Sequence, residues 1–323
     1  KSSINNRLTI NKNKINRRHI INKLIKYDGC KMGQLGEIRD KLEIELTRIK
    51  PDLVIVFGDV TSTLAGALCA VKLDIDVAHI ESGLRSGDST MPEEINRILI
   101  DYMSKYLFVT ENSGIINLRK EGIIKNIFLV GNTMIDTQTK FLPLAINTKY
   151  HTNLGLEEKK YIVVTLHRPS NVDNLTRLED IYNILIQLNN RYKIVFPAHH
   201  RTMSSIKKIG NIDNLILIEP LGYLEFTCLL ANCKCVITDS GGIQEECYSL
   251  HIPCFTMRNN TERPITLTEN GGTNTLISSN ITVINELIDN HILHNNWQKT
   301  YKLWDGKSSS RILDIFITIY SLS

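Results

Sequence analysis

The chain has 323 residues, 42% of them hydrophobic and 22% charged, with seven cysteines and a formal net charge of +4. That length suits two medium domains or one large one, and no apolar run reaches the length needed to span a bilayer. The N-terminus lacks the short apolar core of a secretory leader, and an odd number of scattered cysteines fits buried thiols in a reducing, cytoplasmic setting better than a disulfide framework.

Before Asp28 stand eight basic residues, Lys1, Arg7, Lys12, Lys14, Arg17, Arg18, Lys23 and Lys26, and no acid, so the rest of the chain carries −4. Such an arm can bind phosphates or an acidic surface, or it can be a solvated Asn- and Lys-rich segment. No aromatic residues interleave the charges, which favours the solvated reading, and no nucleic-acid partner is expected. Residues 35–49 then carry apolar side chains at helical spacing, and the strand LVIVFG follows Pro51-Asp52. A helix is expected over residues 63–73, a strand at VAHIE, and a helix over 92–105 opened by Pro92. LFVT and IFLVG read as short buried strands. Residues 141–158, rich in Asn, Thr and Lys, read as a break and place a domain boundary near residue 145.

The same rhythm restarts beyond the break. Strands are expected at YIVVTL, YKIVFPA, LILIE and CKCVIT, and helices over residues 175–188, 223–231 and 243–250, the last after a Gly-Gly turn. Residues 312–322 read as a docked terminal helix. Alternating strands and helices argue for an α/β protein with parallel sheets, in two domains whose ligands lie at the C-terminal ends of the strands. The expected domains are 1–145 and 146–305, with 306–323 crossing back to the first. Cys233 and Cys235 flank a lysine in a strand pattern with no second pair to complete a zinc site, so no metal is expected.

Three groups of residues carry chemistry. Asp239-Ser240-Gly241-Gly242-Ile243-Gln244-Glu245-Glu246 leaves a strand and enters a helix. Two glycines and a helix N-terminus suit a phosphate, and Glu246 lies about one turn further in; a tight turn with ordinary helix-dipole compensation is the alternative. Asp59 and Glu81 stand at strand C-termini and Glu93 at a helix start, where carboxylates can serve as acid and base or merely as caps. His167-Arg168, His199-His200-Arg201 and Arg263 add cations at further strand ends and loops.

The order GDVTSTLAGA, HIESGLRSGD, MPEEINR, VGNTMID, LHRPSN, FPAHHRT, DSGGIQEE, RNNTERP and DGKSSSRI, nearly collinear from Met32 onward, closely resembles the non-hydrolysing UDP-N-acetylglucosamine 2-epimerases. The resemblance implies two Rossmann-like domains of the glycosyltransferase-B architecture with a cleft between them, a homodimer, and no cofactor. It implies Asp59, Glu81, Glu93 and His167 as catalytic positions. Ser240, Gly241 and Gly242 would hold the diphosphate with Arg263 assisting, Glu246 the ribose and Phe226 the uracil, while Arg168, at a strand end beside His167, suits a phosphate clamp in the substrate site. The implied reaction inverts C2 of a UDP-2-acetamido sugar through UDP elimination and re-addition. A UDP-2-acetamido-2,6-dideoxyhexose, a UDP-diacetamido-uronate and a catalytically silent UDP-sugar binder are the alternatives. Residues 1–31 lack the Gly-Thr-Arg-Pro-Glu segment that ends the family's first strand, so the first domain is expected without that strand. Pro169 and Ser170 stand where many members have Arg and Glu, which implies altered activation by a second substrate molecule.

Overall fold

The computed structural model describes residues 31–198, 200–209, 215–277, 286–288 and 301–321. The basic arm and the position of the family's first strand lie outside the described residues, as do His199 and the side chains of His200 and Arg201. Contacts divide the chain into two units, residues 133–307 and residues up to 132 together with the C-terminal helix.

The first unit runs α1 (Lys31–Ile49), β1 (Leu53–Phe57), α2 (Thr61–Lys72), β2 (Asp76–Ser82), α3 (Pro92–Met103), β3 (Tyr106–Val109), α4 (Asn112–Lys120) and β4 (Ile127–Leu129). Its four described strands pair in sequence order, all parallel. Parallel strands covered on both faces need apolar side chains on both, which explains why LVIVF and YLFV read as continuous hydrophobic runs. Val54, Val56 and Val77 pack with Ala67 and Ala70 of α2, whose small residues let the helix lie close to the sheet.

The second unit contains α5 (Thr133–Asn147), α6 (Tyr150–Asn153), β5 (Tyr161–Thr165), α7 (Pro169–Val172), α8 (Leu175–Asn189), β6 (Lys193–Pro197), α9 (His200–Ile209), β7 (Leu215–Ile218), α10 (Tyr223–Asn232), β8 (Cys235–Thr238), α11 (Gly241–Leu250), β9 (Cys254–Thr256) and β10 (Asn274–Leu276). Its sheet has the order β10-β9-β8-β5-β6-β7, all parallel. The connection reverses direction between β5 and β8, whose ends Thr165 and Thr238 are paired. Ligands of open parallel sheets bind outside the strand ends at such a switch point.

α12 (Ser308–Ser321) closes the described chain. Its Ile312, Ile315, Phe316 and Ile319 pack on Phe108 and Phe128 of the first unit, and Arg311 Nη1 donates to the Val130 carbonyl at 2.9 Å.

Two expectations are corrected. The polar composition of residues 141–158 reads as a break, yet α5 continues to Asn147 with Pro143 inside it. Tertiary packing overrides the proline's cost: α5 lies against α10 and α11, Ala145 is fully buried, and Phe141 meets Tyr223 edge to face. The two glycines after Ser240 also form no separate turn; they are the first residues of α11.

Candidate active site

In the first unit the strand ends are shaped by backbone that most residues avoid. Gly58 and Glu81, which follow β1 and lie in β2, both have positive φ, +64° and +75°. Glu81 coincides with the register shift between β2 and β3, a bulge that turns its side chain out of the regular alternation. A Cβ built on Gly58 would lie 3.5 Å from Glu81 Oε2, so the Glu81 carboxylate lies over the residue preceding Asp59. Asp59 is gripped by the buried Arg97 of α3, whose Nε and Nη2 approach Asp59 Oδ2 at 2.8 and 2.7 Å. Asn96 Nδ2 donates to the Asp59 carbonyl at 2.7 Å. Glu93 lies one helical turn before Arg97, on the same face of α3. Asp59 and Glu81 are thus brought together, with Glu93 on the helix face that meets Asp59.

Glu94 has a different task. Burial pushes its carboxyl up, but the Ser86 and Gly87 amides and the Arg97 guanidinium outweigh that and hold it below the usual range. It therefore stays ionised and pins the loop after β2 to α3. Behind the carboxylates lies a fully buried histidine that the sequence alone gives no reason to single out. His79 places Nε2 3.0 Å from the Gly58 carbonyl and Nδ1 2.6 Å from Asp101 Oδ1. Asp101 also accepts the Gly83 amide at 3.1 Å and an ion pair from Arg85, which in turn holds Glu121. One network thereby fixes the backbone beside both Asp59 and Glu81.

In the second unit, His167 and Arg168 follow β5, and Asp239 and Ser240 follow β8, so all four stand at the switch point. Ser240 is the N-cap residue of α11 without a capping side-chain bond, which leaves the helix's first amides as donors toward an anion. Gly241 is required by packing: a Cβ there would fall 2.5 Å from both Arg263 Nη1 and Glu262 Oε1. Arg263 is buried and paired with Glu262 and, through Nε at 2.9 Å, with Glu245, while Arg258 completes the cluster by pairing with Glu262 at 2.7 Å. Arg263 is thus locked beside the first turn of α11.

Glu246, one turn into α11, is 6% exposed, and burial alone raises its carboxyl to about 7. Phe226 is half-buried on α10 against the core that includes Val236 and Cys247. The sequence motifs contain His79, Arg97 and Glu262 without giving them a role, and Asp101 and Glu121 lie outside every motif; the His79–Asp101 and Arg97–Asp59 pairings join residues 22 and 38 apart and have no local signature.

These two sets can do complementary chemistry. The first gathers carboxylates, a group type capable of proton transfer, and the second gathers amides, a histidine and guanidinium groups, which suit an anion.

The family model described as UDP-N-acetylglucosamine 2-epimerase matches residues 12–317. A UDP-N-acetylglucosamine 2-epimerase homolog from Methanococcus maripaludis is 44% identical over 292 residues, 87% of this chain and 80% of the relative. A UDP-2,3-diacetamido-2,3-dideoxy-D-glucuronate 2-epimerase from Pseudomonas aeruginosa is 41% identical over 236 residues, 71% of this chain and 65% of its own. Among solved structures, the Methanocaldococcus jannaschii UDP-GlcNAc 2-epimerase in complex with UDP-GlcNAc and UDP superposes with a TM-score of 0.81 at 38% identity, covering 90% of this chain and 82% of that one.

Proposed function

The chain belongs to the UDP-N-acetylglucosamine 2-epimerase family of isomerases, and from that premise we propose that it inverts C2 of UDP-N-acetylglucosamine by eliminating UDP and adding it back. The C2 proton is not acidic enough for simple removal at neutral pH. In the proposed reaction a carboxylate takes that proton as the C1–O bond breaks, its electron pair leaving with UDP and a C1=C2 double bond forming. Re-addition of UDP at C1 with protonation of C2 from the opposite face gives the manno epimer. Reactant and product are isomers, so the balance requires no external oxidant or reductant.

Asp59, Glu81 and Glu93 are assigned to the proton transfers. Ser240, Gly241, Gly242, Arg168 and Arg263 are assigned to the diphosphate, Glu246 to the ribose, Phe226 to the uracil, and His167 to the departing and returning UDP. The observation that carries the reading is the pair of carboxylates at the ends of β1 and β2, with Glu81 held in a bulge at φ +75°. Backbone strain at a non-glycine residue persists where the surrounding structure imposes it, and such sites are commonly functional.

A UDP-diacetamido-uronate is the second substrate reading, supported by the 41% identity to the Pseudomonas enzyme of that specificity. A homodimer is also proposed. α3 exposes Ile95, Leu99 and Tyr102, spaced to form one apolar stripe, each 46–59% accessible, and a second copy is a suitable cover for it. Among the described residues no helix is long and apolar enough to cross a membrane.

Proton NMR with UDP-N-acetylglucosamine in deuterated water tests the reaction. Deuterium at C2 of both epimers without accumulation of free sugar is the expected result. No exchange with this sugar nor with the diacetamido uronate would overturn it.

A further inference from the structure

Asp239 is a completely buried carboxylate, and a charge in that position persists only if its oxygens are fully engaged. Every donor it engages comes from the segment after β5. The His167 amide approaches its two oxygens at 3.2 and 3.1 Å, the Arg168 amide lies 2.9 Å away, and Asn171 Nδ2 is at 3.0 Å. The His167 ring adds Nδ1 at 2.9 Å from Oδ1. The Asp239 main-chain carbonyl also accepts Arg168 Nε at 3.1 Å. Burial works against ionisation here, but the His167 ring, Asn171 and the Arg168 amide outweigh it and hold the carboxyl below its ordinary range.

An ionised carboxylate only accepts hydrogen bonds, so the His167 nitrogen facing it must carry the proton. We propose that Asp239 is the positioning residue for His167: it fixes the Nδ1–H tautomer and leaves Nε2 as the nitrogen that meets the substrate. The His167 side chain is 57% exposed, so Nε2 belongs to the accessible end of a ring whose other end is anchored to a buried charge. Neutral His167 then presents a lone pair at Nε2. When Nε2 takes a proton, the resulting imidazolium already has its counter-charge 2.9 Å from Nδ1. This is the base-and-orienter arrangement by which a third group sets the working nitrogen of a histidine. By holding the Arg168 amide and side chain as well, Asp239 sets the histidine and the neighbouring guanidinium as one unit.

The consequence for turnover rests on the reading that His167 acts on the sugar nucleotide; the tautomer does not. The test uses the whole protein labelled with 15N-histidine, with the His167 ring assigned by its disappearance in His167→Gln. Long-range 1H–15N spectra of the wild type are expected to show a protonated Nδ1 and an unprotonated Nε2. Asp239→Asn is expected to populate the other tautomer and to lower kcat by about a hundredfold or more, with a smaller change in KM. A wild-type proton on Nε2 overturns the proposal, and that measurement stands even if Asp239→Asn does not fold. A folded Asp239→Asn with an unchanged tautomer or unchanged kcat overturns it too. Full turnover by His167→Gln would instead remove His167 from the reaction, whatever its tautomer.

Discussion

Glu81 occupies left-handed backbone that disfavours any residue with a Cβ, by about 1–2 kcal/mol. On the proposed function its side chain is the reason to accept that cost, so the strain and the function should separate on substitution. Glu81→Ala keeps the strained Cβ and Glu81→Gly removes it. Both are expected to lose epimerisation, while the glycine variant should exceed the alanine variant in stability by about 1 kcal/mol in denaturant unfolding. Equal stabilities would mean that the bulge relaxes and that its geometry is not imposed by the sheet. Glu246 is the second residue whose environment decides its behaviour. Burial raises its folded carboxyl to about 7, above the ordinary value near 4.3 in an unfolded chain. The folded protein therefore holds a proton that the unfolded chain releases, and this contribution to stability is complete below about 4.3 and lost as pH rises through 7. On the proposed function ribose hydroxyls donate to both oxygens of Glu246, which only the ionised form can accept fully, so UDP affinity should change in the opposite sense. It is expected to be about tenfold weaker at pH 6 than at pH 8, with proton release on binding measurable by calorimetry in buffers of different ionisation enthalpy. Glu246→Gln should flatten that dependence.

At the scale of elements, β2, α3 and the loops around them act as one unit because their polar groups are buried together. His79 on β2 and Asp101 on α3 are both essentially inaccessible, and Arg85 joins them from the loop between. A buried carboxylate that serves a histidine, a guanidinium and a backbone amide cannot be replaced by a neutral group without leaving charge uncompensated. Asp101→Asn is therefore expected to destabilise the protein by about 3–5 kcal/mol, read from urea unfolding. Turnover should fall further than the folded fraction does if the proposed assignment holds, because the Gly58 carbonyl and the Gly83 amide lie beside the carboxylates proposed for proton transfer. A loss of stability with normal turnover per folded molecule would make the network structural only. Close approach adds to the constraint at the same place: a Cβ on Gly83, which has φ +79°, would lie 2.5 Å from the Gly114 carbonyl of α4. The end of β2 is thus clamped from α3 by charge and from α4 by packing.

For the molecule as a whole, what could be read in advance follows from how local each signal is. Strands β1 to β8 were legible because burial on both faces writes runs such as LVIVF and YIVVT directly into the chain, whereas the three-residue β9 and β10 were not expected. The helix α4, NSGIINLRK, was not, since it is short and contains a glycine placed for contact rather than propensity. α5 was not expected at all, because Pro143 and polar neighbours outweigh helical spacing locally and its packing partners lie far along the chain in α10 and α11. The carboxylates and the Ser-Gly-Gly helix start stood out as motifs, but the Asp239–His167 pairing spans 72 residues and has no local trace. The roles proposed for chemistry and for binding fall on different units, and that division is testable. Asp59 belongs to the first unit and meets Arg97 there, while the assigned diphosphate groups belong to the second. Asp59→Asn keeps the side-chain volume and can still accept from Arg97, so it should lower kcat by about a hundredfold or more and leave the Kd of UDP within about threefold. Gly241→Ala places a methyl group against Arg263 and Glu262 at the first turn of α11, and should instead weaken UDP binding itself. Titration of UDP into each variant, set beside deuterium exchange at C2, gives opposite patterns if chemistry and binding are separated in this way. If Asp59→Asn lost UDP affinity as Gly241→Ala is expected to, the carboxylate would belong to nucleotide binding, and the proton transfers would have to be assigned to Glu81 and Glu93 alone.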